Sequence, residues 1–363
     1  MLAWWWLSVA QAQAVGDFVD DEAVLSAAAV QGADNWAPAV ITSVGSPAVF
    51  VDPEFPFVDL PLMFYETQVA PGDAACPAGR WGIGVAYNSV FFGWQDAGPV
   101  VQPTPGTFYS CVAAHPTVVP LGDPVNRQWV VYFKAELDES SCTPNPDFDC
   151  DRYPGVGRFV FQANAVGTLT GGTVGFYSYS DIDDSPVLSA VAQDMGYPSA
   201  VFADGQYRMA FAQNPDVFVT SSPFTAFYGT PSAPAAEAGT APGGWEADEL
   251  YSPSLVCEGS SPAVDYLLFV GGRVFTTFPD VGDASLGLYT SIDFSSFAED
   301  PGSPYLSYAA GDPELRHIDV HTNGGGTSHG AFYASPNGGG GNDIRLASTS
   351  GFSQLALDPK RCP

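Results

Sequence analysis

The sequence predicts an all-β fold assembled from a repeated unit of short strands, and three observations carry that prediction. Turn-formers are abundant, with 39 Gly and 32 Pro, aromatics make up 13% of the chain, and almost no long apolar stretch runs at the helical period. A short motif recurs: one residue, a proline and a hydrophobic run, then a loop, then a second apolar strand. The copies lie too far apart and too unevenly for a solenoid, whose repeats stack at short, regular intervals.

Taken in order, the first unit reads Ser46-Pro47-Ala48-Val49-Phe50 and leads to Leu62-Met63-Phe64-Tyr65, with a third strand in GIGVAYNS from Gly82. In the second, His115-Pro116-Thr117-Val118-Val119 leads to Trp129-Val130-Val131-Tyr132-Phe133, and TVGFYSYS from Thr173 is the expected third strand. Tyr197-Pro198 opens the third unit, whose Asp204-Gly205 pair signals a tight hairpin before DVFVTSS from Asp216. Ser252-Pro253-Ser254-Leu255-Val256 leads to Tyr266-Leu267-Leu268-Phe269 and then to LGLYTSI from Leu286. The fifth copy, His317-Ile318-Asp319-Val320, aligns Asp319 with the prolines of the others and leads to Ala331-Phe332-Tyr333 and IRLASTS from Ile344.

Positions 47, 116, 198, 253 and 319 are spaced by 69, 82, 55 and 66 residues, which suits blades with insertions in their loops. Such sheets cannot bury both faces alone, so stacking around an axis is the natural closure, and a single five-bladed β-propeller is predicted. Proline fits the start of each first strand, where its missing N–H costs no ladder bond. The strand at Ile344–Ser350 needs an early partner to shut the ring, either Ala37–Thr42 or the run from Ala23.

The opening residues, MLAWWWLSVAQAQAVG, combine an apolar core with a small-residue Ala12-Gln13-Ala14 pattern. They predict a secretory signal peptide over residues 1–14 and a propeller domain over 15–363, with a secreted, periplasmic or cell-surface location. No later stretch of 18 or more apolar residues offers a membrane span. Six cysteines, an even number in an exported chain, predict disulfides with 15 formal connectivities. The short loop between Cys142 and Cys150 favours that pair, and Cys257 with Cys362 and Cys76 with Cys111 would complete the set. With 40 acidic against 11 basic residues, the net charge is −29, which excludes nucleic acid and anionic membrane surfaces as natural partners.

The units, read as x-Pro-Ser-hydrophobic-hydrophobic, an Asp-Gly turn, Tyr-x-Met and a GVA or GLYTS strand, resemble the five-bladed β-propellers of the arabinanase, β-xylosidase, invertase and levansucrase superfamily of glycoside hydrolases. Gly82–Gly106 is similar to that superfamily's third blade strand, and the resemblance runs over residues 38 to 352. It implies a central funnel with two or three carboxylates, one acting as base or nucleophile and another as acid on the glycosidic oxygen. It also places an Asp just before the first unit's proline. Here the matching positions hold Ser46, His115, Tyr197 and Ser252, and the place of the acid's Glu is taken by Tyr251.

None of these can do a carboxylate's task in glycoside hydrolysis, although with Arg316 they can hydrogen-bond sugar hydroxyls. Displaced carboxylates are therefore sought in Glu249, Asp194 and Asp319, with Glu249 as proton donor, Asp319 as base and His317 orienting it. Period-two alternation from Arg316 sets His317, Asp319 and His321 on one face. The resemblance to the arabinanase branch, where a last-blade histidine lies beside a channel metal, extends to His317 or His321. Asp147, Asp149 and Asp151 alternate like calcium ligands but lack the glycine and glutamate of an EF-hand; calcium is the one cofactor the sequence raises. Trp81, Trp94, Trp129 and Tyr197 offer sugar-stacking faces. The sequence thus points to a monomeric, glycosidase-like propeller that acts on or binds extracellular carbohydrate. A catalytically silent carbohydrate-binding propeller or a protein-binding scaffold is the alternative.

Overall fold

The computed structural model describes residues 18–354 other than 34, 38, 42, 53–59, 78, 90, 123–125, 138–154, 165–168, 190–194, 228–230, 232, 241–243, 247, 261–262, 278–280, 309–315, 324–327 and 338–340, together with Cys362. Apart from the one-and-a-half-turn helix α1 (Ala27–Gly32), the regular structure of the described residues is strand, paired antiparallel in all but one place. Strand β1 (Val19–Leu25) precedes α1. A first group follows: β2 (Val44–Asp52), β3 (Leu60–Ala70), β4 (Arg80–Ser89) and β5 (Gly93–Val101). The second holds β6 (Val112–Pro120), β7 (Gln128–Glu136), β8 (Gly155–Ala163), β9 (Gly172–Val174), β10 (Tyr177–Tyr179) and β11 (Leu188–Ser189). The third is β12 (Met195–Ala203), β13 (Gln206–Gln213) and β14 (Asp216–Ser222). The fourth runs from β15 (Glu249–Ser260) and β16 (Ala263–Thr277) to β17 (Val281–Ser291), β18 (Ala298–Glu299) and β19 (Leu306–Tyr308). The last is β20 (Arg316–Asn323), β21 (Ser328–Pro336) and β22 (Asn342–Ser348).

A single parallel pairing, Trp81 with Val112, ties the first two groups into one sheet, while the other three are separate sheets. The first strands of the groups touch in cyclic order: β2 meets β6, β6 meets β12, β12 meets β15, β15 meets β20, and β20 returns to β2. The all-β propeller class read from the sequence is the fold observed. The ring is shut by the run that includes Ala23, since β1 lies along β22 from Val19 opposite Ser348 to Leu25 opposite Ile344. In the second group, GVGRFVFQA (β8) is the third strand and TVGFYSYS folds into the outer hairpin β9–β10, which corrects the sequence expectation. The reason is local: β8 follows the long insertion after β7, which hides their pairing in the sequence.

Apolar faces meet between groups. Phe50 stacks on Phe64 at 5.4 Å, and Phe161 of the second group meets Phe64 edge-on at 5.0 Å. Each such ring removed from water contributes about 1.5–3 kcal/mol, so the group interfaces are the hydrophobic core. Disulfides Cys76–Cys111 and Cys257–Cys362 form as the sequence reading pairs them, and among the described residues no cysteine is free. Cys142, Cys150 and the Asp147–Asp149–Asp151 loop lie outside the described residues.

A second set of links runs between neighbouring first strands. The hydroxyl of Thr117 accepts the Ala200 amide, Ser199 accepts Leu255, and Ser254 accepts Val320, at 3.1, 2.9 and 2.7 Å. The Asp319 carboxylate accepts the Val49 amide at 2.7 Å and completes the same pattern between the last group and the first. Ile318, then, stands where the other units have proline, and Asp319 stands one place further, with the hydroxyl residues. The sequence alignment of Asp319 with proline is corrected by one residue.

Candidate functional site

Where the five first strands converge, a small hollow is lined by Ser46, His115, Tyr197, Ser252 and His317, with the residue that follows each. All five adopt the left-handed region, at φ of 43°, 48°, 53°, 45° and 56°. Each sits in a bulge: register slips between Gly45 and Ala48, Ala114 and Thr117, Gly196 and Ser199, Tyr251 and Ser254, and Arg316 and Asp319. A bulge sets two residues against one and re-aims a side chain, here toward the axis. The conformation costs on the order of 1 kcal/mol per residue. In four cases a following proline disfavours the α regions further. Ring closure by the surrounding strands holds this strain in place.

The ring is knitted by its own amides. Tyr197 N–H donates to Nδ1 of His115 at 3.3 Å, His317 N–H to the Ser252 hydroxyl at 2.9 Å, and His115 N–H to Oε2 of Glu66 at 3.0 Å. Aromatic faces pack across the hollow. The His115 and Tyr197 rings stack at 4.0 Å, and His317 leans against both at 4.4 and 5.0 Å.

Glu66, on β3, reaches beneath the ring from its place opposite Gly45. It is buried, and its carboxylate stands 3.5 Å from Nε2 of His115 and 3.5 Å from Nε2 of His317. These are the three residues among those described whose ligand atoms cluster tightly enough to hold a metal, all within 4.8 Å of one another. Burial pushes the Glu66 carboxyl up to about 7, against the opposing pull of the Ser46 hydroxyl, the His115 amide and Lys134. Burial likewise pulls His115 well below the ordinary imidazole value, helped by the nearby His317 and Lys134. Lys134 is itself held 2.7 Å from Glu136.

The sequence candidates separate in space. Ser46, His115, Tyr197, Ser252 and His317 come together around the hollow. Tyr251 is buried just outside it with the Arg273 guanidinium 4.7 Å over its ring, and burial raises its phenol. Glu249 forms an ion pair with Arg273 at 3.5 Å. Asp319 and His321 face each other at 2.6 Å, 5% and 1% exposed, and do not line the hollow. The expected single face of His317, Asp319 and His321 is broken by the bulge, which turns His317 to the axis and leaves the other two in the group interface. The Arg316 side chain and Asp194 lie outside what the structure describes. Trp94 and Trp129 are buried, so their faces are not open to a sugar, while Trp81 is half-buried.

Glu66 was not among the sequence candidates. Its one signal is a lone carboxylate inside the apolar run LMFYETQV of a second strand.

No protein-family profile and no curated protein matches the chain. Solved structures do. One is a glycosyl hydrolase from Bacteroides ovatus, 11% identical, covering 95% of this chain and 97% of that one with a TM-score of 0.60. A second is β-1,2-mannobiose phosphorylase from Listeria innocua in complex with β-1,2-mannobiose, 10% identical over 92% and 96% of the two chains, at 0.58. A third is a thermostable family-43 glycoside hydrolase, 14% identical over 90% and 97%, at 0.53. At these identities the likeness is one of fold. The fold is that of the superfamily the sequence units resemble.

Proposed function

We propose that this chain is an exported, monomeric propeller that binds extracellular carbohydrate and does not hydrolyse it by the carboxylate pair of the enzymes it resembles. The observation that carries the reading is the composition of the ring. Five axis-facing positions hold Ser, His, Tyr, Ser and His, and none of the ten residues lining the hollow is Asp or Glu. Glycoside hydrolysis needs an acid and a base on opposite sides of one bond, about 5 to 9.5 Å apart. Of the three displaced candidates, Glu249 is engaged with Arg273 and Asp319 with the Val49 amide, and Asp194 lies outside the described residues.

What remains at the axis suits recognition. The imidazole and phenol faces are packed on one another at 4.0 to 5.0 Å, so it is the polar edges of this rim, not open ring faces, that would exchange hydrogen bonds with sugar hydroxyls. Fold neighbours that are a glycosyl hydrolase and a phosphorylase holding a disaccharide support the ligand class. The two disulfides and the signal-like first 14 residues support export.

A glycan array run beside hydrolysis assays on arabinan, xylan and fructan tests the reading. Specific binding without turnover is expected. Turnover abolished by Glu249→Gln or Asp319→Asn in folded protein would replace it with the enzymatic alternative.

A further inference from the structure

We propose that the face of the propeller opposite the hollow rests on a zwitterionic lipid bilayer, with Phe91 and Phe92 at the β4–β5 turn dipping into it. The first argument is one-sidedness. Each first strand leaves the hollow, each second strand returns to it and each third strand leaves again, so the third strands end on the far face. Seven large hydrophobic side chains are exposed among the described residues, and all but Val40 lie at or just beyond those ends. Tyr87, Phe91 and Phe92 belong to the first group, where Tyr87 lies opposite Leu62 and Leu62 opposite Phe50. In the second group Phe176 precedes Tyr177, which lies opposite Ala163 at the end of β8. Phe224 follows β14 and Ile292 follows β17. Apolar residues scattered singly are ordinary on a surface, whereas a set gathered on one face marks a contact.

The second argument is charge. Phe91 and Phe92 are 87% and 78% exposed, with ring centroids 6.4 Å apart. Residues 81–95 hold no charged side chain, and neither do 159–180 around Phe176 or 217–236 around Phe224, in a chain with 40 acidic and 11 basic residues. These tips can enter an interface without taking a charge out of water. Ile292 cannot, because Asp293 follows it, so the contact falls on the side of the first three groups. Asp204, at the inner turn of the third group, opposes entry and is partly offset by Arg208 at 3.1 Å.

The third argument is where the chain enters the fold. Strand β1 starts on this same face, Val19 lying opposite Ser348, and Gln354 accepts the indole N–H of Trp94 at 3.1 Å beside the Phe91–Phe92 turn. Residues 2–10 are apolar and include Trp4, Trp5 and Trp6, and tryptophan favours the membrane–water interface. Only residues 11–18 separate that run from Val19, about 28 Å at full extension. While the run occupies a bilayer, the far face is held toward it and the hollow is turned away. A second copy is a poor occupant, since two chains of charge −29 repel each other. The inference does not depend on whether the hollow binds a glycan.

The test is flotation of the exported chain with phosphatidylcholine vesicles, and with vesicles containing equimolar phosphatidylglycerol, at physiological salt. Binding to phosphatidylcholine is expected, and weaker binding to the anionic vesicles because of the net charge. Phe91→Ser and Phe92→Ser should each lower the partition coefficient about tenfold or more, Phe176→Ser should add to the loss, and Ile292→Ser should change nothing. All variants share one N-terminus, so lipid affinity of the residues before Phe18 cancels in the comparison. The substituted side chains are exposed, so melting temperatures should hold. No flotation, flotation unchanged in the Phe91→Ser, Phe92→Ser double variant, or tighter binding to the anionic vesicles would overturn the proposal. A dimer in lipid-free solution that Phe91→Ser dissolves would overturn it as well, by assigning the turn to contact between copies.

Discussion

Replacing Glu66 with Gln should leave stability unchanged at acid pH and raise it at alkaline pH. The native carboxyl releases its proton near 7, while in the unfolded chain it does so near 4.5. Between those values the native state binds more protons than the unfolded one, so this group's contribution falls as pH rises through the window. A rise from 4.5 to about 7 corresponds to about 3 kcal/mol. Protonated Glu and Gln are close in shape, and either can accept the His115 amide. The variant should therefore match wild type near pH 4 and exceed it by about 3 kcal/mol near pH 8, in chelator-containing buffer. His115 works in the other direction. Its native pKa lies below the unfolded value, so it costs stability below the imidazole range and ceases to do so as pH rises. Taking the difference between variant and wild type removes the titrations the two share and leaves Glu66 with its coupling to the two imidazoles 3.5 Å away. Urea denaturation followed by circular dichroism at half-unit steps from pH 4 to 8 measures it. A difference that is flat with pH, or that grows toward acid, would refute the argument that burial governs this carboxyl.

Asp319→Ala should lower stability by about 2–4 kcal/mol, because the Val49 amide and His321 lose their acceptor, while Asp319→Asn, which can still accept the amide, should cost less; equal melting of both variants would contradict the ring-closing role. Thiol titration of denatured, unreduced mature protein should find no free thiol, with Cys142 bonded to Cys150. Removing Cys257–Cys362, which spans 105 residues, should cost about 4–5 kcal/mol by the loop-entropy estimate, read from urea midpoints. Arabinan and xylan should be turned over little or not at all, since loss of acid and base each removes about 10² to 10⁴ in rate.

The fold was legible because its punctuation is local. Each proline after an axis residue marks one first strand, and the Asp204-Gly205 turn is read directly, both residues having positive φ. β8 was missed because an insertion separates it from β7. The site was legible only in part, for a reason of geometry. Ser46, His115, Tyr197 and Ser252 could be aligned by their prolines, so their convergence follows from the repeat; His317 could not, because aligning Asp319 with the prolines sets Ile318 in the axis place. Glu66 could not, because its meaning depends on register: it is the residue opposite Gly45, and its partners come from the second and last groups. Period-two alternation failed at His317 and Asp319 because a bulge resets the phase, and a bulge with a left-handed residue leaves no mark in a single sequence when the residue is not glycine.

The five groups are not equivalent beneath the ring, and the difference bears on what the site does. The second-strand position opposite the residue that precedes each axis residue holds Glu66, Lys134, Ala212, Gly271 and Ala334 in turn. Three groups fill it with a small, uncharged side chain, and the Tyr251 ring lies directly over Gly271, where a Cβ would come within 2.6 Å of it. Fold closure therefore asks for nothing ionisable there. A buried carboxylate is expensive where alanine would fit, and its expense is greatest in the charged form that neutral pH favours in water. In Glu66 that cost stands beside two imidazoles from other groups, in the one sector of the ring where the first, second and last groups meet. Glu66 repays part of that cost by accepting the His115 amide at 3.0 Å, a task that an uncharged side-chain amide could also perform, which is why Glu66→Gln separates the acceptor from the charge.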